Sequence, residues 1–384
     1  MQVAGNFEDI RSYRDDEVKA VFKRLSEEPF FLKLIEFLYP DRDPGTFLEQ
    51  LLSLDSIAAF QTQVIRPYIQ NRIIEKTCDE VVIKGLKYLS RKKAYVYISN
   101  HRDIILDSAL LNVLLSLHNF ECTEIAIGDN LLIYPWITDL VKLNRSFLVK
   151  RSAPMREMVA NSKVLSAYIR QKITQENRSV WIAQRQGRAK DGDDRTQEGL
   201  LKMLHFSQDT VSVAKSLKEL KLVPLSISYE YDPCDHLKVR ELLLRSENPE
   251  YKKTEKDDLE SMEMGMKGYK GRVVFQLDKP MKKSLDKIDF IQHKNEKFQA
   301  LARIIDQRIH RNYYIFPNNY IATDLLNQNN HFSSKYSDKD KNQFEEYLHK
   351  KIQMTGIDHL DPFLLKKAFL EMYAFPLSNY LAAI

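Results

Sequence analysis

The spacing of hydrophobic positions changes character along the chain. Up to about residue 75 they recur at helical period. Val18, Val21, Phe22 and Leu25 fall on one face of EVKAVFKRLSEEPFFLKLIEFLYP (17–40), which Pro40 ends. Asp43-Pro44-Gly45 marks a turn, and TFLEQLLSLDSIAAFQTQVI (46–65) resumes the pattern. From about residue 80, short β-branched and aromatic runs take over. EVVIKG (80–85), AYVYIS (94–99), TEIAIG (123–128), SFLVK (146–150), SVWIAQ (179–184), LVPLSISYEY (222–231) and RVVFQL (272–277) read as strands. Amphipathic stretches lie between several of them, such as 108–117, 155–175 and 199–207. This alternation predicts an α/β fold, a mostly parallel central sheet flanked by helices, with helical additions at both ends. The expected division is 1–78 helical, 79–280 α/β and 281–384 helical. The charged stretch 252–271 reads as a helical lid between two strands, and the polar stretch 328–342 as a linker or exposed loop. Pro224, inside an apolar strand, points to an edge or a bulge.

Composition narrows the function. With 384 residues, 43% of them hydrophobic, the chain can bury a sizeable core. A net charge of +5 admits anionic partners, but aromatics are not interleaved with Arg and Lys as on a nucleic-acid-binding surface, so nucleic acid is not an expected partner. Cys78, Cys122 and Cys234 are odd in number and far apart, which argues against a disulfide framework or a zinc site and fits a reducing cytosol. The N-terminal stretch MQVAGNFEDIRSYRDDEV lacks the apolar segment of a secretory signal. No uncharged apolar run reaches the ~20 residues of a membrane span. The longest, 104–117, is interrupted by Asp107 and Asn112. The expected location is cytoplasmic, in solution or on the inner face of a membrane.

Candidate chemistry begins at YVYISNHRDIILDSAL (95–110). An apolar run stops at Asn100, and His101, Asp103 and Asp107 follow at once. Functional residues of open α/β sheets gather where strands end and helices begin. An imidazole held by a nearby carboxylate is a general-base arrangement. The residues alone equally allow a loop histidine followed by two acids that cap a helix. Two basic turns lie downstream. SFLVKRS (146–152) ends in Lys150 and Arg151, and WIAQRQGRAKDG (181–192) carries Arg185, Gln186, Gly187, Arg188, Lys190 and Gly192. A glycine-containing basic turn after a strand can seat a phosphate, because backbone N–H groups and guanidinium meet its oxygens together. Taken singly, such a turn is more often solvated surface.

The four stretches in this order resemble the glycerol-3-phosphate and lysophosphatidate acyltransferase superfamily. Its four blocks are N-H-x4-D, G-x-F-F-I-x-R, E-G-[TG]-R-S-R-x-G and V-P-V-x-I-x-Y. Here they correspond to NHRDIILD (100–107), RSFLVKR (145–151), RQGRAKDG (185–192) and VPLSISYE (223–230), over roughly 80–280. The first block is one residue longer than the family's. An extra residue inside a helix would turn the acid by ~100°, so it belongs in the strand-to-helix turn, leaving Asp107 on the first helical turn; Asp103 is the alternative partner. Arg145 stands where the family has Gly. In the third block the family's Glu falls on Arg185 or, with a one-residue gap, on Gln186, which keeps the shape and hydrogen-bonding capacity of Glu without its charge.

The resemblance implies an O-acyltransferase of membrane lipid synthesis. His101 would take the proton of an acceptor hydroxyl, Asp107 would hold the imidazole, and the oxygen would attack an acyl thioester on coenzyme A or acyl carrier protein. The thioester is a co-substrate, and no cofactor or metal is implied. Arg102, Lys150, Arg151, Gln186, Gly187, Arg188, Lys190 and Pro224 would bind substrate, an anionic glycerol such as glycerol-3-phosphate or a lysolipid. Lipid access without a span would use Trp136 or the apolar C-terminal stretch 368–384 with Lys366 and Lys367 beside it, the plain alternative being core packing. The altered third block leaves two further readings, an amino-acid-based lysolipid acceptor and a non-catalytic lipid- or phosphate-binding protein on the same fold. No G-x-S-x-G elbow, H-E-x-x-H helix or P-loop supports an unrelated hydrolase.

Overall fold

The structure is a computed structural model that describes residues 7–151, 154–357 and 359–384. The first six residues and Ser152, which belong to stretches read above, lie outside them. Its centre is one sheet of seven strands: β1 (Cys78–Lys84), β2 (Val96–Ser99), β3 (Glu124–Gly128), β4 (Ser146–Val149), β5 (Val180–Ala183), β6 (Val223–Tyr229) and β7 (Gly271–Leu277). The order across the sheet is β1-β7-β6-β2-β5-β3-β4. Every neighbouring pair is parallel except β6 and β7. The fold is therefore α/β with a mostly parallel sheet, and all seven strands fall where the apolar runs place them.

The central strands are continuous apolar runs because both faces are covered. Val96 and Ile98 of β2 face one layer with Val180 and Ile182 of β5. That layer is closed by the helices Met155–Thr174, Glu198–His205, Val213–Glu219, Lys282–Ile288 and Lys294–His310. Tyr97 and Trp181 face the other, against the helix Leu106–Leu117 and the last turns of a long helix over 57–77. That long helix contains two π-helical segments, Gln61–Ile65 and Ile69–Ile74, on either side of Pro67. A proline inside a helix removes one N–H from the ladder, and a widened turn accommodates the loss.

Pro224 departs from expectation. β6 is an interior strand, flanked by β2 and β7. Its carbonyl accepts a hydrogen bond from the Asp278 N–H at 3.0 Å, one residue beyond the end of β7. In an antiparallel pair a residue's N–H and C=O point to the same neighbour. The N–H that proline lacks would thus have met only this final rung, which is how an interior strand tolerates it.

The terminal helices are packed on rather than appended. N-terminal helices Val18–Ser26, Pro29–Leu38 and Pro44–Ser53 share a core with Phe60, Val64 and Leu143. C-terminal helices Pro317–Leu326, Asp338–Gln353 and Pro362–Ala383 form another around Phe344, Phe369 and Tyr373. The stretch 328–342 is only partly a loop. Ser337 and Asp340 cap each other's backbone N–H groups, and a helix starts at Asp338. The apolar C-terminal stretch is core: Phe369, Tyr373 and Leu377 of its helix are buried. Among the described residues, no helix is long and apolar enough to cross a membrane. The expected lid over 252–271 is the helix Glu255–Lys267, which with Asp235–Glu247 fills the connection from β6 to β7.

Candidate active site

β2 ends at Ser99, and Asn100 fastens its end to β6. The Asn100 side chain donates to the Ile227 carbonyl at 2.9 Å and accepts from the Ile227 N–H at 2.8 Å. His101 follows. Its Nδ1 lies 2.8 Å from Asp107 Oδ2, and the same oxygen accepts the backbone N–H of Arg102 at 2.6 Å and of Asp103 at 3.1 Å. Asp107 is fully buried, on the first turn of the helix Leu106–Leu117. The extra residue of the first block thus lies in the turn, and the chain loops around the carboxylate. Asp103 does different work. Its Oδ1 accepts the N–H groups of Ile105 and Leu106 at 2.9 and 2.8 Å, capping that helix. Burial, with Asp107 close by, raises the Asp103 pKa. The Trp181 and His101 rings meet in an edge-type arrangement, with centroids 5.7 Å apart. A carboxylate at Nδ1 selects the tautomer with its proton there, so Nε2 is the nitrogen free to accept a proton.

His101 lines a cavity of about 1,810 Å³. The cavity runs beneath the N-terminal helices, along the helix Leu106–Leu117 and over β3 and β4, and its walls include Phe31, Leu34, Phe60, Ile69, Ile105 and Leu148. The lid helix Glu255–Lys267 closes part of its mouth through Leu259, Met262 and Met266. Its polar end collects residues that follow the parallel strands: Lys150 and Arg151 after β4, and Arg185, Gln186, Gly187, Arg188 and Lys190 after β5. Gly187 adopts φ +71°, a conformation that favours glycine, with open space beyond its Cα. Arg185 Nε and Arg188 Nη1 are buried without a hydrogen-bond partner among the described residues. Lys190 pairs with Glu241 at 2.7 Å; burial and the Arg188 charge bring its pKa down to about 8. Lys150 pairs with Asp9 at 3.3 Å near the surface. The Arg151 N–H donates to Asp129 Oδ1 at 3.0 Å, and its guanidinium lies across Gly128, where a Cβ would come 2.8 Å from its Cζ. Gln186 is exposed, and its N–H donates to Gln197 Oε1 at 2.8 Å.

Two of the expected substrate contacts do not reach this cavity. Pro224 is buried at the opposite, N-terminal end of β6. Arg102 turns its side chain away, to pair with buried Asp194 at 2.7 Å. Burial works against its charge, but Asp194, Tyr313, Asp232 and Asp107 together outweigh it and raise the Arg102 pKa. Arg145 also finds its explanation. It sits at φ +59°, where the family's glycine would be unstrained, and its Nε donates to Gln61 Oε1 at 3.0 Å. Sequence reasoning missed Glu241, Asp194 and the Asn100 clamp. Only Asn100, as the first residue of the first block, carried any signal.

The arrangement can take a proton from a hydroxyl at Nε2 of His101, hold an anionic group at the basic turn, and shelter a long apolar group between them. No curated protein matches the chain. Among solved structures it superimposes on the 1-acyl-sn-glycerophosphate (LPA) acyltransferase PlsC from Thermotoga maritima. That match has 13% identity and a TM-score of 0.32 and covers 77% of this chain and 95% of that one, a superposition too loose to bear on fold or function. The family model described as Acyltransferase matches residues 80–228, about two-fifths of the chain. That segment runs from β1 into β6 and carries both the His101–Asp107 pair and the basic turn after β5, so this part of the chain is similar to acyltransferases.

Proposed function

We propose that the protein transfers an acyl group from a thioester, on coenzyme A or acyl carrier protein, to the hydroxyl of an anionic lysolipid. The observation that carries this reading is the His101–Asp107 pair opening onto an apolar cavity whose polar end is a basic turn. Neutral His101 donates its Nδ1 proton to Asp107 and accepts the acceptor's hydroxyl proton at Nε2. The oxygen attacks the thioester carbonyl. The tetrahedral intermediate then expels the thiolate, which takes the proton from the imidazolium. General-base help of this kind contributes ~10²–10⁴-fold. Arg185 and Arg188, each with a buried N–H that has no partner among the described residues, bind the acceptor's anionic group.

Cavity size favours a lysolipid over glycerol-3-phosphate. A methylene takes roughly the ~30 Å³ share of one water in the liquid, so an acyl chain of about sixteen carbons fills ~500 Å³. A cavity of about 1,810 Å³ holds the donor's chain and leaves room for one already on the acceptor. Such an acceptor comes from a bilayer. Phe37 lines the cavity and is exposed, as are Phe30, next to the lining residue Phe31, and Tyr134; Phe30 stacks on Tyr134, and Lys33 and Lys267 lie over Phe30 and Phe37. Aromatic rings beside lysines suit a membrane interface.

The test is thiol release from acyl-CoA and acyl carrier protein thioesters with glycerol-3-phosphate, lysophosphatidate and lyso-amino-acid lipids as acceptors. Release that depends on a lysolipid and vanishes in folded His101→Ala is the expected result. Release with glycerol-3-phosphate alone overturns the acceptor class. Silence across the panel, with lipid still bound, leaves a binding protein.

A further inference from the structure

Arg102 follows the proposed base directly and is held at three points. Its N–H donates to Asp107 at 2.6 Å. Its carbonyl accepts from Lys238 Nζ at 2.7 Å. Its guanidinium pairs with Asp194 at 2.7 Å and lies over the Tyr313 ring, 5.9 Å from the centroid. Both anchors are themselves secured from the C-terminal part of the chain. Tyr313 donates its hydroxyl to Asp194 Oδ2 at 2.8 Å, and His310 Nε2 meets the Asp194 carbonyl at 2.8 Å. Lys238 also pairs with Asp232, whose N–H donates to the Tyr373 hydroxyl at 3.1 Å. Lys238 and Asp194 are 1% and 0% exposed. A Lys and an Asp so deeply buried need a reason, since charges are taken out of water only where something holds them.

Asp194 also lies just past the basic turn. Gly192, two residues before it, adopts φ +82°, and a Cβ there would come 2.2 Å from the Met372 carbonyl. The backbone of the helix Pro362–Ala383 thus rests directly on the end of that turn. Asn379 of the same helix donates to Asp193 and accepts from Arg195, both at 3.0 Å. One short segment, 192–195, is fixed to the C-terminal helix on one side and to the loop of the proposed base on the other.

We propose that Arg102 is a positioning residue, braced by Asp194 and Lys238, through which helices beyond the matched segment set the orientation of His101 and tie it to the basic turn. The side chain that looked like a substrate contact acts through its neighbour. Two consequences separate this from plain structural support. The imidazole–Asp107 hydrogen bond depends on the brace, and so does turnover, whereas acceptor binding at Arg185 and Arg188 does not.

The proposal rests on the acyltransferase reading for its kinetic part only. The experiment compares wild type, Asp194→Asn and Tyr313→Phe in full-length protein. It measures kcat and KM for the acceptor, and the low-field proton resonance of His101 Nδ1–H in protein labelled with ¹⁵N-histidine. Asp194→Asn is expected to lower kcat about tenfold or more, with KM within about twofold, and to shift or broaden that resonance. Tyr313→Phe removes a single hydrogen bond and leaves the ion pair, so it stays informative if the charge change prevents folding. It is expected to lower kcat a few-fold in the same pattern. Folded variants with wild-type kcat and an unmoved resonance overturn the brace, as does a change in KM alone. A wild type without transfer activity overturns the acyltransferase reading instead, and the resonance still decides the brace.

Discussion

At the scale of single residues, two acids four positions apart have separate tasks. Asp107 Oδ2 takes the imidazole and two backbone N–H groups; Asp103 takes the N–H groups that open the following helix. Asp107→Asn, which can turn an amide N–H toward Nδ1 and favour the wrong tautomer, is expected to lower kcat by roughly 10²–10⁴-fold in a folded protein. Asp103→Ala removes a cap and is expected to cost about 1 kcal/mol of stability, with kcat changed far less. Steady-state kinetics beside urea titration of both variants checks the division; equal losses of kcat would contradict it. The clustering of His101 with the two acids was legible in the sequence because a strand end followed by His and two acids is a local pattern. The choice between the acids was not, since it depends on how residues 102–105 turn. Arg102, Asp194 and Lys238 were illegible for another reason: their partners lie far along the chain, and nothing local distinguishes a braced arginine from a substrate-binding one.

At the scale of elements, the turn between the helix Pro135–Leu143 and β4 and the helix Glu198–His205 each carry a local conflict. Arg145 accepts a left-handed backbone, which costs ~1–2 kcal/mol against glycine, and gains a hydrogen bond to Gln61 worth ~0.5–1.5 kcal/mol. Arg145→Gly is therefore expected to leave stability within about 1 kcal/mol of wild type, whereas Arg145→Val keeps the strain and loses the bond. Urea midpoints of the two variants test the balance. His205 is 1% exposed beside Phe298, and neither ring nitrogen has a partner among the described residues. Burial brings its pKa down to about 4 from an ordinary 6.5. The unfolded chain therefore binds a proton first as pH falls. Its contribution to stability is complete above about 6.5, declines at up to ~1.4 kcal/mol per pH unit toward 4, and is flat below. His205→Leu should remove that slope, which the difference in Tm between the two proteins from pH 7 to 4.5 would show. The strands were readable because period and β-branching are local. The interior place of Pro224 was not, because it depends on where a strand almost fifty residues later stops.

At the scale of the whole molecule, the C-terminal helices are part of one packed body with the sheet. Phe298, Leu301, Ile305 and Ile309 sit in the same core cluster as Val96, Ile98 and Val180. Truncation after residue 280 is accordingly expected to give a chain without a cooperative thermal transition, and far-ultraviolet circular dichroism through a melt tests it. The sequence marked that region as helical but offered no sign of where it packs.

The strand order also sets a timetable. β1 is the first strand made and pairs only with β7, the last. About 190 residues separate Lys84 from Leu277. At ~5–20 residues per second of synthesis, β1 waits roughly 10–40 s on the ribosome for its partner. Throughout that interval an open strand edge and the half-covered apolar faces of Val81 and Ile83 are available to wrong partners, so the nascent chain is a natural client for whatever holds unfinished sheets apart.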